Sequence, residues 1–305
     1  MKKTIFYDLH KEYGAKIVSF AGYDMPIQYP NGIIHEHKVV REKVGVFDVS
    51  HMGEFKVTGK DALAFVQKIT TNDASKLSFG KVQYSSMCYE NGTIVDDLLV
   101  YCMGDHYMLV VNGACMDKDF EWCKKNTAGF DIELTNMTDE IHLLAVQGPW
   151  SRDTLQKLTR ENLSEIEFYN FKPGQLAGVD MIISRTGYTG ELGFELYFRG
   201  DFAVAKKVWD LVFDAGKPFG IEPVGLGCRD TLRLEKCYML YGNDIDDTTN
   251  PIEAGLGWIT KLAKGQFNGS DVIQKVKDEK PKRKLVGFMV DSDKFIPRHD
   301  YEIRF

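Results

Sequence analysis

Apolar residues recur along this chain at two spacings, about every second residue and about every 3.6 residues, and the two rhythms alternate. Helical spacing predicts a short helix within residues 4–16 that ends near Gly14 and a polar helix from His35 to Lys43 that stops at Gly45. Another starts at Asp61 and carries Leu63, Phe65, Val66 and Ile69 on one stripe. Further helices are expected at Met116 to Lys125, Ser151 to about Leu158, Ala203 to Asp214, after Gly225 with Leu232, Leu234 and Cys237, and at Ser270 to Lys277. Strand-like runs are Ile17 to Tyr23 (closed by Met25-Pro26), Val46 to Gly59, Tyr107 to Asn112, Phe130 to Leu134, Ile141 to Gln147 and Val179 to Ser184. A new run starts at Leu285, and the chain holds no internal repeat.

The most informative stretch is Glu90-Asn91-Gly92-Thr93-Ile94-Val95-Asp96-Asp97-Leu98-Leu99-Val100-Tyr101, two adjacent carboxylates inside an apolar, β-branched run. Asn-Gly ahead of such a run predicts a hairpin on a two-residue type I′ turn, with Gln83 to Tyr89 as the first strand. Glu90 then faces Thr93, Ser86 faces Asp97 and Tyr84 faces Leu99. Alternation puts Asp97 on a face with Val95, Leu99, Tyr101, Ser86 and Tyr84, and Asp96 on the other with Ile94, Leu98, Val100 and Met87. A carboxylate in such surroundings must find a partner or shift its pKa upward. An edge strand with one aspartate in water and a functional carboxylate both fit these residues.

Composition narrows the function classes. A length of 305 residues allows two or three packed units, and 44% hydrophobic with 27% charged residues is an ordinary globular balance. The net charge of −6 gives nucleic acid no attraction, and Lys280-Pro281-Lys282-Arg283-Lys284 reads as a solvated linker. Six cysteines without CxxC spacing read as buried thiols of a reducing compartment. No signal core opens the chain and no run is long enough to span a bilayer, so a cytoplasmic protein without membrane contact is expected.

Other polar clusters carry less. His35 and His37 lack further ligands and read as solvated side chains. Asp48, Ser50 and His51 lie too close along one strand to converge as a triad, and read as a strand end with local hydrogen bonds. The acidic loop Tyr241 to Asp247 lacks the glycine and terminal glutamate of a calcium loop, so no metal is expected. Three glycines between Gly187 and Gly193 suit a turn where backbone approaches something closely, and they precede Glu195. Arg229, at the start of a helix, needs an anionic partner: Asp230, Glu235 or a ligand carboxylate.

The order of motifs resembles the T-protein family of the glycine cleavage system, the tetrahydrofolate-dependent aminomethyltransferases. The motifs are Gly14-Ala15-Lys16, Phe20-Ala21-Gly22, Gly45 to Gly53, Asn91 to Leu98, Gln147-Gly148-Pro149, Arg185 to Glu191, Arg229 to Glu235 and Tyr241 to Asp244. The resemblance spans essentially the whole chain. It implies an α+β fold of antiparallel sheets with flanking helices around a central folate pocket, over residues 1–280, as two intertwined subdomains. A C-terminal β-barrel follows over 281–305. It also implies transfer of a methylene carbon from the aminomethyl-lipoyl arm of H-protein to tetrahydrofolate, releasing ammonia. In that family the position of Asp97 is the catalytic carboxylate, Glu195 meets the pterin's amino-pyrimidine edge, and Arg229 is associated with the glutamate tail. Met52, Tyr84, Asn112 and Tyr188 match the pocket walls.

Two departures are visible. Cys228 stands where the family usually has Ala, and Asp300 where it usually has Gly. The family's barrel, beginning at Lys284, continues past Phe305, so a truncated C-terminal domain is expected. Two rivals share the fold: a folate-dependent demethylase and a non-catalytic folate-binding protein. The second group lacks the aspartate pair and carries a cysteine signature that is not found here.

Overall fold

The strand segments assemble into three sheets in the computed structural model, which describes residues 1–291, 297, 301 and 302. In chain order come β1 (Lys2–Lys3), α1 (Tyr7–Glu12), β2 (Lys16–Phe20), β3 (Tyr23–Gln28), α2 (Ile33–Glu42) and β4 (Val44–Asp48). Next are β5 (Gly53–Thr58), α3 (Ala62–Ile69), β6 (Val82–Cys88), β7 (Ile94–Cys102), β8 (Tyr107–Val111), α4 (Met116–Lys125) and β9 (Glu133–Asn136). β10 (His142–Gln147), α5 (Ser151–Gln156), β11 (Phe171–Leu176), β12 (Val179–Ser184) and β13 (Gly193–Phe198) follow. The last elements are α6 (Phe202–Gly216), β14 (Ile221–Pro223), α7 (Leu226–Glu235) and α8 (Ser270–Glu279).

The largest sheet runs β11-β12-β13-β10-β4-β14, the second β6-β7-β8-β5-β9, and a small one β1-β3-β2. Pairing is antiparallel apart from β14 beside β4 and β1 beside β3. The outer face of the six-stranded sheet packs on α6, whose Ala205, Val208, Trp209, Val212 and Phe213 recur at helical spacing and are buried. The side chain of Asp201 accepts from Val204 N at 3.0 Å and starts that helix. The outer face of the five-stranded sheet packs on α3 and α4 through Phe55, Val57, Phe65, Val66, Ile69 and Cys123. The inner faces of the two sheets meet in a third cluster containing Tyr101, Val110, Leu143, Ala145 and Tyr197. Helices outside and two sheets inside form the α+β arrangement expected.

How the chain passes between the sheets was not foreseen. Val46 to Gly59 alternates as one strand, yet β4 belongs to the larger sheet and β5 to the other. Asp48 makes the corner: its Oδ1 accepts from Ser50 N at 2.9 Å, while Oδ2 takes Thr4 Oγ1 at 2.5 Å and His10 Nε2 at 2.9 Å. Met52 N then donates to Val49 O at 3.0 Å. The local hydrogen bonding expected at Asp48 thus breaks one strand into two and aims Met52 between the sheets.

Smaller differences have local causes. Met25 and Pro26 lie inside β3 and Gly45 inside β4. Leu63 flanks the buried stripe of α3 and is 39% exposed, its place taken by Ala62. β11, which contains Pro173-Gly174, was not expected; proline is tolerated because β11 is an edge strand. No strand occurs among the described residues 280–291, and positions 292–296, 298–300 and 303–305 of the expected 281–305 barrel segment, Asp300 included, lie outside the described residues. No helix among the described residues is long and apolar enough to cross a membrane.

Candidate active site

The hairpin that carries the aspartate pair is closed by a different turn from the one its Asn-Gly predicts. Gly92 N donates to Tyr89 O and Tyr89 N to Thr93 O, both at 2.9 Å. Glu90, Asn91 and Gly92 therefore form a three-residue loop in which Gly92 alone has positive φ, 79°. A bulge between Met87 and Cys88 pairs Met87 with Asp96 and Cys88 with Ile94, leaving Val95 as the extra residue. The extra loop residue and the bulge cancel. Ser86 faces Asp97 and Tyr84 faces Leu99, as expected. The bulge exchanges their neighbours, however: Ile94 packs with Cys88 and Tyr84, and Val95 with Met87, Leu98 and Val100.

Asp97 Oδ2 accepts from the Tyr84 hydroxyl at 2.8 Å, and Oδ1 from the Asn112 side-chain amide at 2.9 Å. The same amide nitrogen donates to Asp96 Oδ1 at 2.9 Å, and Asn112 N to Asp96 Oδ2 at 3.3 Å. Both N–H bonds of the Asn112 amide are thus committed to the two carboxylates. Burial, and then the charge of Asp96, push the Asp97 carboxyl up to about 7, against the hydrogen bonds from Tyr84 and Asn112.

This shift has a thermodynamic signature. A carboxyl that ionises near 3.8 when unfolded and near 7 when folded makes the native state lose stability as pH rises between those values. Asp97→Asn should therefore melt at a higher temperature than the parent chain at pH 8. The gap should narrow as pH falls from 7 toward 4 and close below that. Melting curves across this range that run parallel would contradict the buried, raised carboxyl.

Asp97 opens on a cavity of about 450 Å³ between the two inner sheet faces, and all seven candidate residues line it. Glu195, on β13, accepts at Oε2 from Thr186 Oγ1 and, at 3.4 Å, from Tyr197, which leaves Oε1 for a ligand. Burial raises its pKa; Thr186 and the charge of Arg229 oppose that. Arg229 ion-pairs with neither expected partner. Asp230 binds Arg233 at 2.8 Å and Glu235 binds Arg41 at 2.7 Å. The Arg229 guanidinium lies 4.6 Å over the Tyr188 ring, and among the described residues no carboxylate reaches ion-pair distance of it. The Tyr188 hydroxyl donates to Met239 O.

Tyr101 does not line the cavity beside Asp97. Its hydroxyl meets Ser184 (3.0 Å), Thr186 (3.2 Å) and Tyr197 (3.0 Å), tying the two sheets together behind Glu195. The glycine turn closes on Gln147 rather than on a ligand. A Cβ at Gly187 or at Gly193 would lie 2.2 Å from the Gln147 amide. Cys237 is exposed and lines the cavity, so only five of the six thiols are buried. His35 pairs with Glu222 at 2.8 Å, and His37 with Thr231 at 2.8 Å and Glu235 at 3.3 Å. The acidic loop spends Asp244 on Arg233 and Asp246 on Thr248 and Thr249.

One group escaped the sequence reading. Asp119, on α4, is fully buried behind Asp96. The available signal was an acid at the i+3 position of the stripe formed by Met116 and Cys123.

Comparison with known proteins places this architecture. The family model described as GCVT N-terminal domain matches residues 6–264. An aminomethyltransferase of Halothermothrix orenii is 51% identical over 305 residues, spanning 100% of this chain and 84% of that protein. One of Bacteroides fragilis is 55% identical over 307 residues, 99% of this chain and 83% of its own length. The crystal structure of the glycine cleavage system aminomethyltransferase T from Bartonella henselae superposes with a TM-score of 0.85 at 34% identity. It covers 93% of this chain and 76% of that one. On its sequence, its sheets and its cavity, this chain belongs to the GCVT family of aminomethyltransferases.

Proposed function

We propose that the chain transfers the methylene carbon of an aminomethyl group, carried on the lipoyl arm of H-protein, to tetrahydrofolate, with Asp97 as the carboxylate beside the reacting amine. The observation that carries this reading is the setting of Asp97: two donors fix its oxygens at the wall of an aromatic-lined cavity that also holds Glu195 and Arg229. A volume of about 450 Å³ is within the usual range of small-molecule sites. A flat pterin suits the Tyr84 and Tyr188 rings and the Met52 thioether.

The chemistry needs an unprotonated N5 aimed at the methylene carbon as sulfur departs. Asp97 orients N5–H, accepts its proton and stabilises the cationic character that builds on the carbon. Two C–N bonds form, to N5 and N10, while the C–S and C–NH2 bonds break. The two N–H protons of the folate end on the dihydrolipoyl thiol and on ammonia. A carboxyl that titrates near 7 is matched to this task at neutral pH. Glu195 Oε1 accepts from the amino-pyrimidine edge, and Arg229, which no carboxylate among the described residues reaches at ion-pair distance, takes the glutamate tail.

The direct test mixes the chain with aminomethyl-loaded lipoyl H-protein and tetrahydrofolate, and follows methylenetetrahydrofolate and ammonia. Equal yields of both support the reading; product from a free methylamine donor but none from H-protein would replace it by the demethylase. Glu195→Gln replaces one carboxylate acceptor by an amide and should weaken tetrahydrofolate binding by about tenfold in a calorimetric titration. An unchanged Kd would remove Glu195 from pterin recognition.

A further inference from the structure

Helix α4 turns Met116, Asp119 and Cys123 toward the five-stranded sheet. Asp119 is fully buried there, and neither of its carboxyl oxygens receives a hydrogen bond. The carboxyl oxygens of Asp119 and Asp96 and the Cys115 sulfur fall within 4.8 Å of one another. Lys118 Nζ is 4.0 Å from Asp119 Oδ1, but it donates to the Val95 carbonyl and stacks 3.9 Å from the Tyr241 ring. The other titratable groups facing the pair are Cys123 on α4, Cys115 ahead of it, and Asp97 and Tyr84 on the hairpin.

Two carboxyls this close and this buried cannot both be ionised. Asp96 receives two hydrogen bonds from Asn112 and Asp119 receives none, so the charge belongs on Asp96 and the proton on Asp119. Burial and the Asp96 charge push Asp119 up to about 11, in the same direction. Asp119 then donates to Asp96, and the donors run from Asp119 to Asp96, from Asn112 to both Asp96 and Asp97, and from Tyr84 to Asp97.

We propose that Asp119 is a positioning residue for Asp97: its protonated carboxyl keeps Asp96 ionised, and the ionised Asp96 holds the Asn112 amide with both N–H bonds turned to the aspartates. Were Asp96 protonated instead, it would donate to Asn112 Oδ1. The amide would turn over and Asp97 would lose the donor on its own Oδ1. The inference rests on the reading of Asp97 as the active carboxylate.

Two measurements test it. The first is the pH profile of aminomethyl transfer from loaded H-protein at saturating tetrahydrofolate. Asp119→Ala should lower transfer by about tenfold and displace the acidic limb, since a lost hydrogen bond to a charged group is worth about that factor. Asp119→Asn, whose amide supplies the missing donor, should restore both. An unmoved limb in Asp119→Ala, or a fall in Asp119→Asn as large as in Asp119→Ala, overturns the proposal. The second is the infrared difference between the parent chain and Asp119→Asn at pH 7, which holds even if Asp119→Ala does not fold. Loss of a protonated-carboxyl band supports the assignment, and loss of an ionised-carboxylate band overturns it. This readout needs no turnover, so it stands apart from the role of Asp97. Wild-type transfer by Asp97→Asn would overturn that role while leaving the proton where the infrared places it.

Discussion

Asp97→Asn lowers aminomethyl transfer by about a thousandfold and leaves the Kd for tetrahydrofolate within about threefold. The size follows from what the substitution removes. Asn keeps the shape and can still meet Tyr84 and Asn112, so the cavity wall is preserved. It carries no charge and cannot accept the N5 proton, so it loses the base and the electrostatic stabilisation together, effects commonly worth 10² to 10³ each in rate and not additive. Binding is expected to persist because the pterin contacts proposed for Glu195, Tyr188 and Arg229 are untouched. Single-turnover transfer from loaded H-protein, beside a calorimetric titration of tetrahydrofolate, separates the two quantities. Loss of folate binding with little change in turnover per bound folate would make Asp97 a binding residue and sink its role in the chemistry.

The parent profile should carry the same carboxyl. With Asp97 titrating near 7 in the free chain, transfer at limiting substrate falls below that pH as the base is protonated, and this limb vanishes in Asp97→Asn.

The hairpin explains why the aspartate could be found from sequence while its surroundings could not. Side-chain period fixes which residues oppose each other only after the turn is known, and here two irregularities offset each other between Cys88 and Asp96. The partner of Asp97 came out right and the faces of Ile94 and Val95 came out reversed. The corner at Asp48 to Gly53 was invisible for a related reason. Alternation of apolar and polar residues lapses there only at Ser50-His51, too brief a break to divide one strand into two, and tertiary hydrogen bonds from Thr4 and His10 mark the change of sheet. Long amphipathic helices such as α4 and α6 were legible because 3.6-residue periodicity is redundant over three or four turns. Arg229 was flagged by an unfavourable helix position, yet its neighbour is a ring that no local pattern names, since Tyr188 arrives from a loop forty-one residues earlier in the chain.

Gly187→Ala should cost about 3 kcal/mol of stability and weaken tetrahydrofolate binding by about tenfold, although residue 187 does not line the cavity. Its new Cβ would lie 2.2 Å from Gln147 Oε1, and a Cβ at Gly193 would lie 2.2 Å from Nε2 of the same amide, so the amide sits against both glycines. Gln147 is 1% exposed, so its amide is held in packed surroundings and has little room to retreat. Its amide binds Thr186 O at 3.2 Å and the Thr189 hydroxyl at 2.9 Å, so displacing it releases the loop at both ends. That loop carries Thr186 to Glu195 and Tyr188 to Arg229, which is how a packing fault reaches the ligand. Gly129 supplies the control, because a Cβ there meets nothing within 4 Å and Gly129→Ala bears only the strain of its φ of 88°. The double variant Gly187→Ala with Gln147→Ala removes the collision. If the clash is the cause, thermal melts should place the double variant well above the sum of the two single losses. Strict additivity would show that Gly187 is required for some reason other than the Gln147 amide.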